Sequence, residues 1–177
     1  MKRRMTISGI ALLLATLAMI TAGCKSSEEG EAGPVGTLLR YGDCKNWPAA
    51  GTPGTTRGSD QGCIEYRYDG RKLELKHVNA GFNCCPGDIG AEIRVAGNVI
   101  TITEREAAAG CHCLCLFDLD MLIEDLPAAE YFIQVHEPYI RDGEPLQFSV
   151  RLAAGTSGAY CRPRTDYPWG ASGGGAE

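Results

Sequence analysis

Apolar and polar residues alternate in short segments through most of this chain. Because successive side chains of a β-strand point to opposite faces, this alternation predicts strands that are buried on one face. Asp69-Gly70 and Gly97-Asn98 separate pairs of these segments and are typical of hairpin turns. The predicted strands cover residues 38–41, 64–68, 73–77, 89–95, 99–104, 111–119, 131–136 and 146–152. About seven or eight short strands predict an all-β, antiparallel sandwich, and the best helical candidate is a turn or two at 104–109.

One phrase in the second half of the chain narrows the fold class. Residues 123–135, Ile-Glu-Asp-Leu-Pro-Ala-Ala-Glu-Tyr-Phe-Ile-Gln-Val, resemble the stretch leading into the sixth strand of immunoglobulin-like and fibronectin-like sandwiches. In those folds a tyrosine at the start of that strand donates a hydrogen bond back to the preceding corner. Tyr131 stands at that place. The resemblance implies an immunoglobulin-like sandwich with Tyr131 bonded to its corner.

The N-terminus has the pattern of an export signal. Lys2, Arg3 and Arg4 precede an apolar run, residues 7–20, that is short for a membrane span. The run ends in Thr21-Ala22-Gly23-Cys24, which resembles the lipobox of bacterial lipoproteins. In a lipobox, small residues precede a cysteine that is lipidated and becomes the mature N-terminus. The resemblance implies lipidation of Cys24.

The lipoprotein resemblance divides the 177-residue chain into four parts. Residues 1–23 form the signal peptide, and 24–36 hold the lipidated cysteine and a flexible linker of Ser, Glu, Gly, Ala and Pro. Residues 37–169 form a single β-sandwich domain, and the Gly-rich residues 170–177 form a flexible tail. Because Lys25 and not Asp follows the cysteine, the resemblance implies a lipid anchor in the outer membrane of the bacterial cell envelope.

The charge balance argues against nucleic acid as a partner. Three of the 17 basic residues and none of the 22 acidic ones precede Cys24, which leaves 14 basic against 22 acidic residues and a net charge of −8. An acidic surface attracts neither nucleic acid nor anionic lipid. We therefore expect membrane attachment through the lipid anchor alone, and a protein or glycan as ligand.

Eight cysteines follow Cys24, and their number is even. Exported thiols tend to be oxidised, so this parity predicts four disulfides. The candidates are Cys44, Cys63, Cys84, Cys85, Cys111, Cys113, Cys115 and Cys161. Residues two apart in an extended strand are about 6.5 to 7 Å apart, at or beyond the limit for disulfide closure. The three cysteines of 111–115 should therefore pair with other segments, and Cys84 and Cys85 should each meet a different member of that neighbourhood.

The same cysteines allow two other hypotheses. A thiolate site for copper or zinc would use Cys84, Cys85, Cys111, Cys113, Cys115, His77 and His112. Its weakness is that Cys-x-Cys in a straight strand holds the sulfurs too far apart for one metal. A vicinal disulfide between Cys84 and Cys85 would be a redox switch, but such bonds are hard on the backbone. Disulfides without a metal or another cofactor are the favoured hypothesis.

The C-terminal segment, residues 158–170, carries a group of aromatic and basic residues. Arg162, Arg164, Tyr167 and Trp169 together suggest an exposed site for a sugar or a peptide. The alternative, which we favour, is that Trp169 closes an open end of the sandwich and anchors the segment.

No catalytic motif is present. Ser149, His136 and Asp142 lie close in sequence, but no nucleophile elbow precedes Ser149. Even cysteine parity also argues against a free nucleophilic thiol. We therefore expect a protein that is not an enzyme.

Three further features resemble a group of small, uncharacterised, cysteine-rich bacterial lipoproteins. They are Asn83-Cys84-Cys85, the run Cys111-x-Cys113-x-Cys115-x-Phe117-Asp118-Leu119 and Tyr167-Pro168-Trp169. The resemblance covers most of the chain from about Cys63 onward. It implies a surface lipoprotein with a sandwich domain, acting as a binding or structural module, and implies no activity.

Overall fold

A computed structural model describes residues 33–45, 58–141 and 144–169. The predicted signal peptide 1–23, the lipidation candidate Cys24, the Gly-rich tail 170–177 and Asp142 lie outside the described residues. Of the predicted linker 24–36, only residues 33–36 are described. The first described strand begins at Val35, within the last two residues of that predicted linker.

The described residues form nine strands and no helix. The strands are β1 Val35–Tyr41, β2 Gln61–Tyr68, β3 Leu73–Asn83, β4 Ile89–Ala96, β5 Val99–Glu106, β6 Leu114–Glu124, β7 Glu130–His136, β8 Gln147–Arg151 and β9 Ser157–Pro163. The helical turn predicted at 104–109 is wrong, because β5 continues in register with β4 to Glu106. β9 is the strand that alternation missed, since Ser157, Gly158 and Ala159 carry no strand-forming side chains.

The strands form two sheets that enclose the core. One has five strands in the order β1-β6-β3-β2-β9, and the other has four in the order β4-β5-β7-β8. The all-β sandwich predicted from alternation is confirmed. Its antiparallel character holds for every pair except β5 and β7, which run parallel. That pairing needs a long crossover, which the chain provides by placing β6 in the other sheet between β5 and β7.

The core is built from the alternating positions of both sheets. On β6, every second residue from Cys115 to Ile123 is at most 6% exposed. β7 faces them with Tyr131, Ile133 and Val135, and β5 with Ile100 and Ile102. Burying each of these large apolar side chains contributes about 1.5 to 3 kcal/mol to folding, so the packing of the two sheets is the main source of stability.

A bulge in β3 sets which of its residues face the core. Asn79 has φ = 65°, and the register with β6 shifts between Val78 and Ala80. Asparagine tolerates this left-handed conformation better than most residues. The core face of β3 therefore carries the odd-numbered Leu75 and His77 before the bulge and the even-numbered Ala80 and Phe82 after it.

The polar groups of Asn79 fasten the bulge to its surroundings. Its Nδ2 donates to the carbonyl oxygens of Gly58 (2.9 Å) and Gln61 (2.8 Å), and its Oδ1 accepts from Lys45 Nζ (2.6 Å). A fully buried amide needs such partners. The bulge therefore holds the start of β2 and the segment after β1 against β3.

Tyr131 makes the hydrogen bond expected of it at the corner before β7. Its hydroxyl donates to the Pro127 carbonyl oxygen, four residues upstream, at 3.0 Å. The hydroxyl of Tyr68 donates to the Leu126 carbonyl oxygen in the same corner at 2.6 Å. The immunoglobulin-like form of the sandwich stays a prediction, because the bond fixes a corner and not a strand order.

Candidate functional site

All eight cysteines that follow Cys24 form disulfides. The bonds are Cys44–Cys115, Cys63–Cys161, Cys84–Cys113 and Cys85–Cys111. The three cysteines of the 111–115 run pair with other segments and not with each other, as predicted. The vicinal Cys84–Cys85 disulfide considered above is wrong, because each of the two bonds to a different cysteine of that run.

The cysteine run is not one straight strand. β6 begins at Leu114, so Cys111 and Cys113 precede the strand and only Cys115 belongs to it. The prediction of a three-thiol ladder on a 111–119 strand is therefore wrong. At Cys111 the side chain of Asn83, 28 residues away in sequence, donates to the backbone carbonyl oxygen and accepts from the backbone N–H.

The residues suggested for a metal do not converge. The five cysteines of that set are disulfide-bonded, and a disulfide sulfur is not a thiolate ligand. His77 is buried on β3, whereas His112 is exposed in the segment before β6. In the described part of the chain, no group of three or more His, Cys, Asp or Glu side chains is placed to hold a metal ion.

The C-terminal aromatic and basic residues are divided between the interior and the surface. Arg164 and Trp169 are each 1% exposed, whereas Tyr167 is 53% exposed and Arg162 is half-buried. Tyr167 Oη contacts both backbone polar groups of Leu114, at 2.7 and 3.1 Å. The four residues therefore do not form one exposed binding surface.

Trp169 anchors the C-terminal segment on β3. Its Nε1 donates to the Asn79 carbonyl oxygen at 2.7 Å, and a Cβ added at Gly81 would lie 2.6 Å from its ring. Gly81 alternates with the core residues Ala80 and Phe82, so it faces away from the core. Trp169 thus anchors the segment on β3, in the space that a glycine leaves, and closure of an end of the sandwich stays a prediction.

Four ionisable side chains form a buried charge cluster beside this anchor. They are His77, Glu104, Glu137 and Arg164, and none of their side chains is more than 1% exposed. His77 Nδ1 lies 2.6 Å from Glu104 Oε1, and Arg164 Nη2 lies 2.6 Å from Glu137 Oε2. His77 Nε2 is 3.7 Å from Glu137 Oε1, and the Arg164 guanidinium lies over the Trp169 ring.

The two carboxylates favour the protonated form of His77 and raise its pKa. Burial alone would lower the pKa of His77, but Glu104 and then Glu137 raise it above its ordinary value. With His77 protonated, two cations face two anions and the cluster is neutral. The contacts between opposite charges offset part of the cost of burying them.

Sequence reasoning missed Glu104 and Glu137, and one signal for the cluster was present. Glu104 continues the inward alternation of Ile100 and Ile102, so a charged residue stands at a core position. No comparable signal marks Glu137 or Arg164, which lie just beyond β7 and β9.

An open trough of about 1010 Å³ crosses the outer face of the five-stranded sheet. Its charged side chains lie in rows along the strands. On β2 and β3 they occupy the outward positions that alternate with core residues. The charged lining residues are Arg40, Glu65, Arg67, Lys72, Glu74, Lys76 and Asp120. β9 forms one side of the trough. Its residues there, Ser157, Gly158 and Ala159, are small and leave the trough open.

Most charges of the trough form exposed ion pairs. Arg40 Nε lies 2.7 Å from Asp120 Oδ2, and Arg67 Nη2 lies 2.8 Å from Glu74 Oε2. The arginine side chains are 80% and 71% exposed. Exposed pairs contribute about 0 to 1 kcal/mol each, so these side chains can change partners at little cost.

The serine and histidine considered for catalysis both lie on the surface of the four-stranded sheet. Ser149 is exposed on β8, and His136 is exposed at the end of β7. Neither has a hydrogen bond that would activate a nucleophile among the described residues.

Comparison with known proteins gives no relative. The chain matches no protein family, no curated protein and no solved structure. Within the described residues, no helix is long and apolar enough to cross a membrane.

Arg164→Met should lower the free energy of unfolding by about 3 to 5 kcal/mol, because it leaves Glu137 buried beside an uncharged side chain. Arg162→Met is the matched control, since Arg162 pairs with the exposed Glu144 and should cost about 1 kcal/mol or less. Denaturant unfolding under oxidising conditions measures both. Equal losses in the two variants would contradict the charge cluster as described.

His77 should make stability depend on pH. Its folded pKa is raised, so its contribution is fully present below the unfolded pKa of about 6.5 and is lost as pH rises through the folded pKa. Between pH 6.5 and that higher value, the free energy of unfolding should fall by up to about 1.4 kcal/mol per pH unit.

This decrease in the free energy of unfolding with rising pH should vanish in His77→Gln. It should persist in His112→Gln, which changes an exposed histidine. Denaturant unfolding of the three proteins from pH 6 to 9 measures it. A wild-type slope that His77→Gln retains would show that another group is responsible.

Proposed function

We propose that this chain is a lipid-anchored lipoprotein of the bacterial cell envelope whose sandwich is a non-enzymatic binding module. The observation that carries the proposal is the charged trough on the five-stranded sheet, which is large enough for a segment of a partner. The partner is a protein whose positive and negative side chains bind the charged residues of the trough.

The envelope location is supported by the sequence before the sandwich. A basic start, a short apolar run and Thr21-Ala22-Gly23-Cys24 together fit export followed by lipidation of Cys24. The four disulfides fit the same compartment, since such bonds persist where thiols are oxidised. Lys25 after the cysteine favours the outer membrane.

A protein fits the trough better than a glycan does. Arg40, Arg67 and Lys76 alternate in space with Glu74 and Asp120, so the lining offers both charge signs at short spacing. Such a surface orients a polypeptide that carries complementary charges. A glycan would be held by exposed aromatic faces, and the aromatic residue best suited to that role, Trp169, is buried.

A binding role fits the trough better than a purely structural one. The ion pairs of the trough stabilise the fold little. One side of the trough is low, because β9 lines it with the small residues Ser157, Gly158 and Ala159. Ser157 pairs with Arg67 and Ala159 pairs with Glu65, so large side chains at either position would cover these charges.

A photo-crosslinking amino acid at Ser157 tests the proposal in intact cells. Ser157 lines the trough on β9, and Ser149, which is also exposed but lies on the other sheet, is the matched control. A discrete protein adduct should form from position 157 and not from 149. Because the contacts are between exposed charges, the adduct should weaken as salt is raised in isolated envelopes.

Charge reversal then tests whether the rows themselves bind. Arg67→Glu should reduce the adduct from position 157 by about tenfold, equivalent to about 1.4 kcal/mol. Arg94→Glu, which reverses an exposed arginine of β4, should leave it unchanged. Equal adducts from positions 157 and 149, or equal effects of the two reversals, would refute the trough as the binding surface.

A further inference from the structure

The four disulfides differ in their access to solvent. Cys63 is fully buried and Cys115 is 6% exposed, and their partners Cys161 and Cys44 are half-buried. Cys84 and Cys113 are half-buried. Of these eight cysteines, only Cys85 is exposed. Its bond to Cys111 closes a short loop, with a sequence separation of 26 residues.

A buried asparagine holds both ends of this exposed disulfide without using the sulfurs. Asn83 is 4% exposed, and its Oδ1 accepts from the backbone N–H of Cys85 at 2.8 Å and of Cys111 at 3.1 Å. Its Nδ2 donates to the Cys111 carbonyl oxygen at 2.5 Å. The amide therefore spans the two segments that carry the disulfide.

Backbone hydrogen bonds join the same two segments. Gly110 donates to the Cys85 carbonyl oxygen at 3.2 Å, Ala108 donates to that of Pro86 at 2.9 Å, and Cys84 donates to that of Cys113 at 3.1 Å. The Cα atoms of Cys85 and Cys111 are 5.4 Å apart. None of these hydrogen bonds uses a sulfur atom of the Cys85–Cys111 disulfide, so we expect them to keep the two thiols close after reduction.

We propose that the Cys85–Cys111 disulfide is a thiol–disulfide exchange site and that the other three are structural. Its partner is an exported protein dithiol. One thiolate of that dithiol attacks the exposed Cys85 sulfur, forms a mixed disulfide with it and releases Cys111 as a thiolate that takes up a proton. The second thiol of the partner then displaces Cys85. The partner leaves as a disulfide, and two electrons and two protons reside on Cys85 and Cys111.

The inference rests on the proposed envelope location only for the nature of the partner. Exposure and the Asn83 contacts concern the chain itself, so the chemistry is tested with the purified protein. Loss of the lipoprotein proposal would leave this test unaffected, and failure of this test would leave the trough unaffected.

Graded reduction of the full chain with dithiothreitol, followed by alkylation and peptide mapping, makes the measurement. Cys85 and Cys111 should become labelled together at a dithiothreitol concentration at least about tenfold below that needed for any other pair. The reduced protein should keep its β-sheet circular dichroism. Oxidised glutathione should then restore the Cys85–Cys111 bond in most molecules.

Two double variants complete the test. Cys85→Ser/Cys111→Ser should abolish labelling at low dithiothreitol, whereas Cys84→Ser/Cys113→Ser should retain it on Cys85 and Cys111. The proposal is overturned if another pair opens first, if all pairs open together with loss of the sheet signal, or if the opened pair does not re-form. Should the second variant fail to fold, the order of opening in the unaltered protein decides alone.

Discussion

The covalent pairing of distant segments is the constraint on which this structure depends. Cys63–Cys161 and Cys44–Cys115 join residues separated by 98 and 71 positions. Loops of that length restrict the unfolded chain most, by about 4 to 5 kcal/mol each on an entropic model. The first bond fixes β9, whose small residues contribute little packing, beside β2, and the second ties the segment after β1 to β6. With these strands in place, the five-stranded sheet has the breadth to carry a trough on its outer face.

The buried charge cluster depends on the same arrangement. Arg164 follows β9 directly, so the bond that holds β9 also brings the guanidinium to Glu137 and Trp169 to the bulge at Asn79. The paired charges make other positions costly, because moving Arg164 away would leave Glu137 buried without its cation.

Strand positions could be predicted from the sequence because a strand that is buried on one face has a two-residue period, as in Ile64-Glu65-Tyr66. The order of the strands could not, since pairing joins residues far apart in the chain and leaves no local pattern. The bulge at Asn79 could not be predicted either. One residue in the left-handed conformation there reverses the face on which each later side chain of β3 lies. Disulfide parity predicted four bonds, but the bend at Cys111 depends on the side chain of Asn83, 28 residues away. The trough is lined by residues of all five strands of its sheet, so no single segment signals it.

Disulfide mapping of the protein taken from its native envelope, with a free-thiol count and metal analysis and without chelators, tests the account most directly. Cys44–Cys115, Cys63–Cys161 and Cys84–Cys113 should be intact in every molecule, and any free thiols should be those of Cys85 and Cys111 together. No stoichiometric metal should accompany them. Three or more free thiols with stoichiometric copper or zinc would contradict the crosslinked sandwich and make metal binding the role of the cysteines.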